Sequence, residues 1–289
     1  MPLDRIGVIK RGVRRYDPRD PYHLAVALTW PQFLLALLAL DMAINVVFAI
    51  LYVLSPGSVA NARPGSLADA FFFSLETLAT VGYGVMAPAS LYGHIVASAE
   101  TICGVAFTAI MTGLMFVRFS RPKAKIVYAD QAVIATHNGR PTLMVRIANG
   151  RFNVLTDALA QLIVLQAETT AEGVFFRRVY ELRLTRATLP IFPLTWTLMH
   201  ELDEQSPLYG LGAAELAAAD LQLFLSVEAH DPVLAATVHD IKVYRTSDIL
   251  FGMRYADAVF RDETHRAIAD LGRISRTEPD VGPSAEQHI

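Results

Sequence analysis

Polar positions are spread very unevenly along the chain. Between residues 24 and 117 only Asp41, Arg63, Asp69, Glu76 and Glu100 are charged, and apolar residues run almost unbroken. Trp30 to Leu54 holds 25 residues with Asp41 as its only charge. At 1.5 Å per residue that is about 37 Å of helix, enough to cross a hydrocarbon core of about 30 Å with some tilt. Gly93 to Val117 is a second 25-residue run, carries only Glu100, and predicts another crossing, with the inner helix placed at 93–119. Between them Leu67 to Ala79 is apolar and aromatic. Its 13 residues would reach only about 20 Å as a helix. That is too short to cross and predicts a re-entrant half-helix over 67–79.

After Lys125 the rhythm changes. Pro141 to Ile147, Ala160 to Leu165, Val174 to Leu184 and Leu221 to Val227 are of strand length and often alternate, and His137-Asn138-Gly139, Glu172-Gly173 and Ser206-Pro207 separate them as turns. This spacing predicts an all-β sandwich over 120–274, with Ala213 to Ala219 as a short helix. The polar segment from Ser275 to residue 289 is expected to be disordered.

Composition sharpens this division. Of 289 residues 53% are hydrophobic and 18% charged, against about 25% charged in an average soluble domain. The deficit sits in the apolar region alone, so the chain reads as a membrane unit followed by a water-soluble domain. A net charge of −3 argues against a nucleic-acid partner, which calls for a strongly basic face. The single cysteine, Cys103, allows no intramolecular disulfide or cysteine-rich metal site. The first twenty residues are polar and basic without an apolar core, so no targeting peptide is expected.

The short flanks set the orientation. Lys10, Arg11, Arg14, Arg15 and Arg19 precede the first span, and Arg118, Arg121, Lys123 and Lys125 follow the second, while the intervening segment has only Arg63. Both termini are expected in the cytoplasm of a multi-pass protein of the inner (plasma) membrane. Asp17 to Thr29 mixes charge, aromatics and aliphatics, which suits an interfacial helix within a cytoplasmic segment 1–29. An untidy extension of the first span is the alternative.

The half-helix leads into Thr80-Val81-Gly82-Tyr83-Gly84. Irregular backbone at membrane depth is tolerated only where it is buried in protein or lines a polar cavity. Loops of this sequence, four around one axis, replace the hydration shell of potassium with backbone carbonyls and the threonine hydroxyl. Glycine at alternate positions gives the backbone the freedom to turn every carbonyl inward. Five residues alone are weak evidence. Their place between a half-helix and a second span is what carries the expectation of K+ bound at the filter carbonyls only.

The run FFFSLETLATVGYG, the RFSRPKAK after the second span and the later HELDEQSPLYG resemble the inward-rectifier potassium channels, most closely their prokaryotic branch, the KirBac family. The likeness extends from about Asp17 to Phe260. It implies an α+β membrane protein: a homotetramer of two-span subunits over a cytoplasmic immunoglobulin-like β-sandwich. Thr108, Thr112 and Phe116, four residues apart, stay within about an 80° stripe of the second helix. The resemblance places this stripe on the pore, with Phe116 closing it as a ring of four. Gly104 and Gly113 are candidate hinges, although close helix packing accounts for them equally.

The resemblance also implies regulators. Threonine at 108 stands where strong rectifiers carry an acid that attracts polyamines, so only weak polyamine block and weak rectification are expected. Asp157 and Glu228 match acids lining the cytoplasmic pore. Arg14, Arg15, Arg118, Arg121, Lys123 and Lys125 match a phosphoinositide site whose occupancy inhibits the prokaryotic branch, although orienting the chain requires the same charges. Glu76 matches a residue that braces the filter through an ion pair. The basic partner is missing from Val85-Met86-Ala87-Pro88, which leaves Glu100 or filter amides as its alternatives. Asp41 matches nothing and costs about 2.5 to 3.5 kcal/mol or more in mid-membrane unless neutral or paired; Asn45 is a candidate neighbour.

No enzyme chemistry is legible. His200-Glu201 lacks the second histidine of a zincin helix, Gly210-Leu211-Gly212 lacks the third glycine of a dinucleotide loop, and no Walker or G-x-S-x-G sequence occurs. The expectation is a passive channel with no cofactor. A membrane-tethered enzyme or receptor, and a potassium channel of another regulatory type, are the rivals.

Overall fold

The computed structural model describes residues 12, 21–120, 122, 124–219, 221–261 and 263–280. The chain forms two compact units, one over Gly12–Arg121 and the other built on Pro122–Ile289.

The first unit runs α1 (Pro21–Ala27), α2 (Trp30–Val53), β1 (Val59–Ala60), α3 (Leu67–Leu78), β2 (Ala87–Pro88) and α4 (Leu91–Phe119). The first residues of each helix follow from local chemistry. Pro31 sits in the first turn of α2, where its missing N–H is not needed. Ser66 and Ser90 each accept a backbone N–H from the first turn of the helix that follows, from Asp69 and Gly93. The serine cap starts α4 two residues earlier than expected. The most apolar 18 residues of α2 and of α4 have mean hydropathies of 2.5 and 1.8, yet only 17% and 6% of those residues are buried within the chain. Soluble core helices would be mostly buried, so these two are spans whose exposed Leu, Ile and Val face lipid or other chains.

α3 packs between the spans through Ala49, Tyr52, Ala70, Phe73, Val96 and Ala97, all buried, with the Tyr52 and Phe73 rings 5.0 Å apart. A two-residue antiparallel pairing of β1 with β2 ties together the loops on either side of α3. The interfacial helix is seen at Pro21–Ala27; residues 17–20 of that expectation lie outside the described residues.

The second unit continues with β3 (Ile126–Tyr128), β4 (Ala132–His137), β5 (Arg140–Asn149), β6 (Leu155–Thr169), β7 (Phe175–Leu182), β8 (Thr188–Phe192), β9 (Thr195–Glu201), α5 (Ala213–Ala218), β10 (Gln222–Asp231) and β11 (Ala236–Arg245). It ends with β12 (Ile249–Phe251), β13 (Met253–Tyr255), β14 (Val259–Arg261), β15 (Ala267–Ala269) and β16 (Thr277–Pro279). One five-stranded sheet has the order β11-β10-β6-β7 with β8 also on β6; the other has β12-β4-β5-β3 with β9 on β5. Asn138 and Gly139, both at positive φ, make the two-residue turn between β4 and β5.

Period-2 alternation does the rest. Leu143, Val145 and Ile147 on β5, Leu162 and Val164 on β6, and Leu223, Leu225 and Val227 on β10 are at most 1% exposed. With Phe192, Trp196 and Tyr244 they fill one core. Each such aliphatic side chain contributes about 1.5 to 3 kcal/mol on burial.

The expected disorder from Ser275 is corrected by the fold. Thr277–Pro279 pairs with Met253–Tyr255. Ser275 Oγ accepts the Asp130 N–H at 3.0 Å, and Asp280 Oδ2 accepts the Thr136 N–H at 2.8 Å. Polar composition concealed a short strand whose flanking residues, Ser275 and Asp280, accept backbone N–H groups just before and within β4. Residues 281–289 of that expectation lie outside the described residues.

Candidate functional site

The loop after α3 is held by backbone. Val81 and Gly82 both donate their N–H to the Glu76 carbonyl, at 2.9 and 3.3 Å. Thr80, Gly82 and Gly84 have φ of +57, +55 and +82°, whereas Val81 and Tyr83 do not enter the left-handed region. This alternation of hand tips successive peptide planes the same way, so consecutive carbonyls gather on one side as a row of acceptors. Glycine takes two of the three left-handed positions at no steric cost. Thr80 bears about 1 to 2 kcal/mol there, and a conformation of that cost persists where surrounding structure enforces it. Val81 and Tyr83 are 52% and 74% exposed within the single chain. Asn61 donates to the Val85 carbonyl at 2.7 Å, fixing the far end of the loop.

Behind the loop, α2, α3 and α4 meet around a buried polar cluster. Glu100 on α4 is fully buried. It receives a hydrogen bond from the Tyr52 hydroxyl at 2.7 Å and is hydrogen-bonded to Ser74 Oγ. Ser74 also meets Asn45 Oδ1 at 3.1 Å, and Asn45 Nδ2 donates to the Asp41 carbonyl and carboxylate at 2.9 and 3.3 Å. Glu76 and Glu100 therefore have separate partners. Glu76 acts through its backbone carbonyl, and its carboxylate has no hydrogen bond or ion pair among the described residues. Glu100 braces α3 through Ser74, a residue the sequence reading passed over. Asp41 does have Asn45 as its partner.

Gly104 is a point of close helix contact. A Cβ there would stand 2.2 Å from the Leu78 carbonyl oxygen, so α4 crosses the end of α3 where only hydrogen fits. α4 runs unbroken through both Gly104 and Gly113. At Gly113 an added Cβ would meet nothing within 4 Å in the chain. Thr108, Thr112 and Phe116 are all exposed, Phe116 at 71%, and the Thr112 hydroxyl donates back to the Thr108 carbonyl. The stripe is thus free to line a shared axis.

Of the expected lipid cluster, Arg14, Arg15, Arg121 and Lys123 lie outside the described residues. Lys125 is exposed. Arg118 turns inward: it donates to the Ala25 carbonyl and, at 3.0 Å, to the Leu28 carbonyl. Its guanidinium also stacks 4.7 and 4.3 Å from the Trp30 and Phe33 ring centroids. The Ala25 and Leu28 carbonyls, in the last turn of α1 and just past it, and two aromatic faces hold this charge, so Arg118 ties α4 to α1.

In the sandwich, Asp157 has φ of +50° and interrupts β6 as a bulge, skipped in the pairing with β8 and opposite a register shift in β10. Glu228 pairs with Leu159, two residues along, and both acids are exposed on the sheet face turned away from the core. His239, opposite Glu228 on β11, joins them; only the register reveals it. In the HELDEQSPLYG run, buried His200 bridges the Arg183 carbonyl and Ser206 Oγ, both at 2.8 Å. That motif is a clamp on the Ser206-Pro207 turn.

Comparison with known proteins agrees with this geometry. Residues 126–286 match the model of the inward rectifier potassium channel C-terminal domain, and residues 38–121 match an ion channel model. The inward rectifier potassium channel Kirbac3.1 of Paramagnetospirillum magnetotacticum is 35% identical over 94% of this chain and 91% of its own length. Human inward rectifier potassium channel 4 is 30% identical over 74% of this chain, which spans half of that protein. The rat ATP-sensitive inward rectifier potassium channel 14 is 30% identical over 71% of this chain and 50% of its own length.

Proposed function

The chain belongs to the inward-rectifier potassium channel family, and from that premise we propose that four copies surround one axis and conduct K+ passively through their Thr80–Gly84 loops. The observation that carries this reading is the alternating hand of the loop, anchored at the Glu76 carbonyl. One chain supplies one row of carbonyls, and four rows are needed to encircle an ion. The short, apolar α3 enters and leaves the outer half of the membrane, and both termini lie on the cytoplasmic side of the plasma membrane.

Phe116 forms the gate as a ring of four apolar side chains that closes the path by dewetting. The exposure of Phe116, Thr112 and Thr108 on one stripe supports this. The sandwich carries the regulation, with Asp157 and Glu228 concentrating cations at its outward face. Rectification is weak because Thr108 supplies no charge for polyamines. Anionic lipids, phosphoinositides among them, inhibit through Arg14, Arg15, Arg121, Lys123 and Lys125, with Arg118 already committed to α1. The channel performs no covalent chemistry and needs no cofactor.

Rubidium uptake into liposomes holding the purified protein tests the reading, with barium in parallel. Barium-sensitive uptake is expected, reduced when phosphoinositide is added to the lipid. Uptake no greater than in empty liposomes would refute conduction, and uptake indifferent to phosphoinositide would remove the lipid regulation alone.

A further inference from the structure

The polar cluster joining α2, α3 and α4 fixes a proton count. Asn45 Nδ2 lies 2.9 Å from the Asp41 carbonyl oxygen. A carbonyl only accepts, so this contact sets the orientation of the amide and turns Asn45 Oδ1 toward Ser74. Oδ1 needs a donor, and among the described residues the Ser74 hydroxyl is the group that reaches it. Ser74 has one hydrogen, and that contact uses it. Toward Glu100 Oε1, Ser74 Oγ can then only accept. An ionised carboxylate has no hydrogen to give, and Glu100 Oε2 already accepts from Tyr52.

The reverse assignment fails. Were Ser74 to donate to Glu100, Asn45 Oδ1 would be left without a donor at a site where Asn45, Ser74 and Glu100 are all 0% exposed. Glu100 would also be a buried anion with no cation among its partners. The titratable groups around it are Tyr52, in contact, and Asp41, at the far end of the chain of bonds, both from α2. From α3 come Asp69, held by Arg63 at 2.8 Å, and Glu76. Tyr92, His94 and Cys103 share its own helix. None offers Glu100 a positive charge through a hydrogen bond or ion pair.

We propose that Glu100 carries a resident proton and acts as a positioning residue in its neutral form. Tyr52 donates to Glu100, Glu100 to Ser74, Ser74 to Asn45, and Asn45 to Asp41, so each hydrogen is used once. The relay runs in one direction from α2 to α4, through α3 and back to α2, and it holds α3 six residues before Thr80. The protonation state stands on the geometry alone; its consequence for conduction rests on the channel reading above.

The test is infrared spectroscopy of the full-length protein in liposomes at neutral pH, wild type against Glu100→Gln. Glutamine keeps an acceptor for Tyr52 and a donor for Ser74. The expected difference spectrum shows the C=O stretch of a protonated carboxyl, shifted in deuterium oxide, present in wild type and lost in the variant. A carboxylate stretch lost in its place would overturn the proposal. Thermal melting supplies the second readout. Glu100→Gln is expected to melt close to wild type and Glu100→Ala well below it. A Glu100→Gln protein that fails to assemble, or melts as low as Glu100→Ala, would also overturn the proposal. Absent rubidium uptake in both proteins would count against the channel, while the infrared band would still decide the proton.

Discussion

Adding one methyl group at Gly104 tests how α4 supports the filter. A Cβ built there lies 2.2 Å from the Leu78 carbonyl oxygen, 3.0 Å from its carbon and 3.2 Å from its Cα. Ordinary contact starts near 3.5 Å, so the two helices must part by roughly 1 Å. The obstacle is backbone and cannot rotate aside. Alanine gains about 1 kcal/mol over glycine in a helix interior, but overpacking of this kind costs about 1 to 3 kcal/mol. The net is a loss of about 1 kcal/mol per chain. Four chains make it about 4 kcal/mol, and about 1.4 kcal/mol of that borne by the conducting arrangement is enough to lower flux about tenfold. The strain acts two residues before Thr80, where α3 hands over to the filter. We expect Gly104→Ala to lower both barium-sensitive rubidium uptake and the melting temperature of the assembly. Wild-type flux with wild-type melting would refute the argument, and normal melting with lost flux would restore the hinge reading of this glycine.

Three other substitutions or conditions probe separate parts of the molecule. Thr108→Asp is expected to convert weak spermine block into steep block, read from a spermine series on rubidium flux; steep block already in the wild type, unchanged by the aspartate, would contradict the assignment. Arg118→Ala removes two charge-assisted hydrogen bonds and two ring contacts, so it should lower stability by about 3 kcal/mol even in neutral lipid. A variant with unchanged melting and altered phosphoinositide response would instead make Arg118 a headgroup ligand. Burial pushes the phenols of Tyr128, Tyr244 and Tyr255 above their ordinary value, with Asp240 adding to the effect at Tyr128. Their folded values exceed the unfolded ones, so their stabilising contribution is complete below about pH 10 and is lost as pH rises further. β-sheet melting of the whole chain should therefore fall above about pH 10, less steeply in Tyr244→Phe, and a flat profile would refute this.

What the sequence made legible was what is local. The spans and the short α3 follow from run length, the candidate loop at Thr80–Gly84 from five adjacent residues, and the sandwich from alternation between turns. Asp41 and Asn45, four residues apart on one helix, were also within reach of a sequence argument. Ser74 was not, because its partners lie 26 and 29 residues away and their meeting depends on how three helices cross. The inward turn of Arg118 was hidden for a related reason: its charge is what position predicts, while the carbonyls it meets lie about 90 residues earlier, at the end of another helix. The strand at Thr277–Pro279 was hidden because its pairing partner, Met253–Tyr255, begins 24 residues before it and the polar side chains that flank it, Ser275 and Asp280, bond to distant backbone. His239 was silent until the register placed it opposite Glu228.

The missing basic residue after the filter now has a physical reading. An ion pair behind the loop would have to recover the desolvation of two charges, which at membrane depth is several kcal/mol per ion. This chain holds the loop in two ways that involve no ion pair. The Glu76 carbonyl takes the N–H groups of Val81 and Gly82, and the neutral relay through Glu100 and Ser74 fixes the helix that presents that carbonyl. Glu100 could not serve as the partner of a cation at residues 85–88, since it is already committed to Tyr52 and Ser74. The exposed apolar Val85, 69% accessible in the single chain, is consistent with a filter exit that is braced from behind rather than clamped from outside. Glu76 thus holds the loop with its backbone carbonyl, whereas the part proposed for Glu100 rests on its proton.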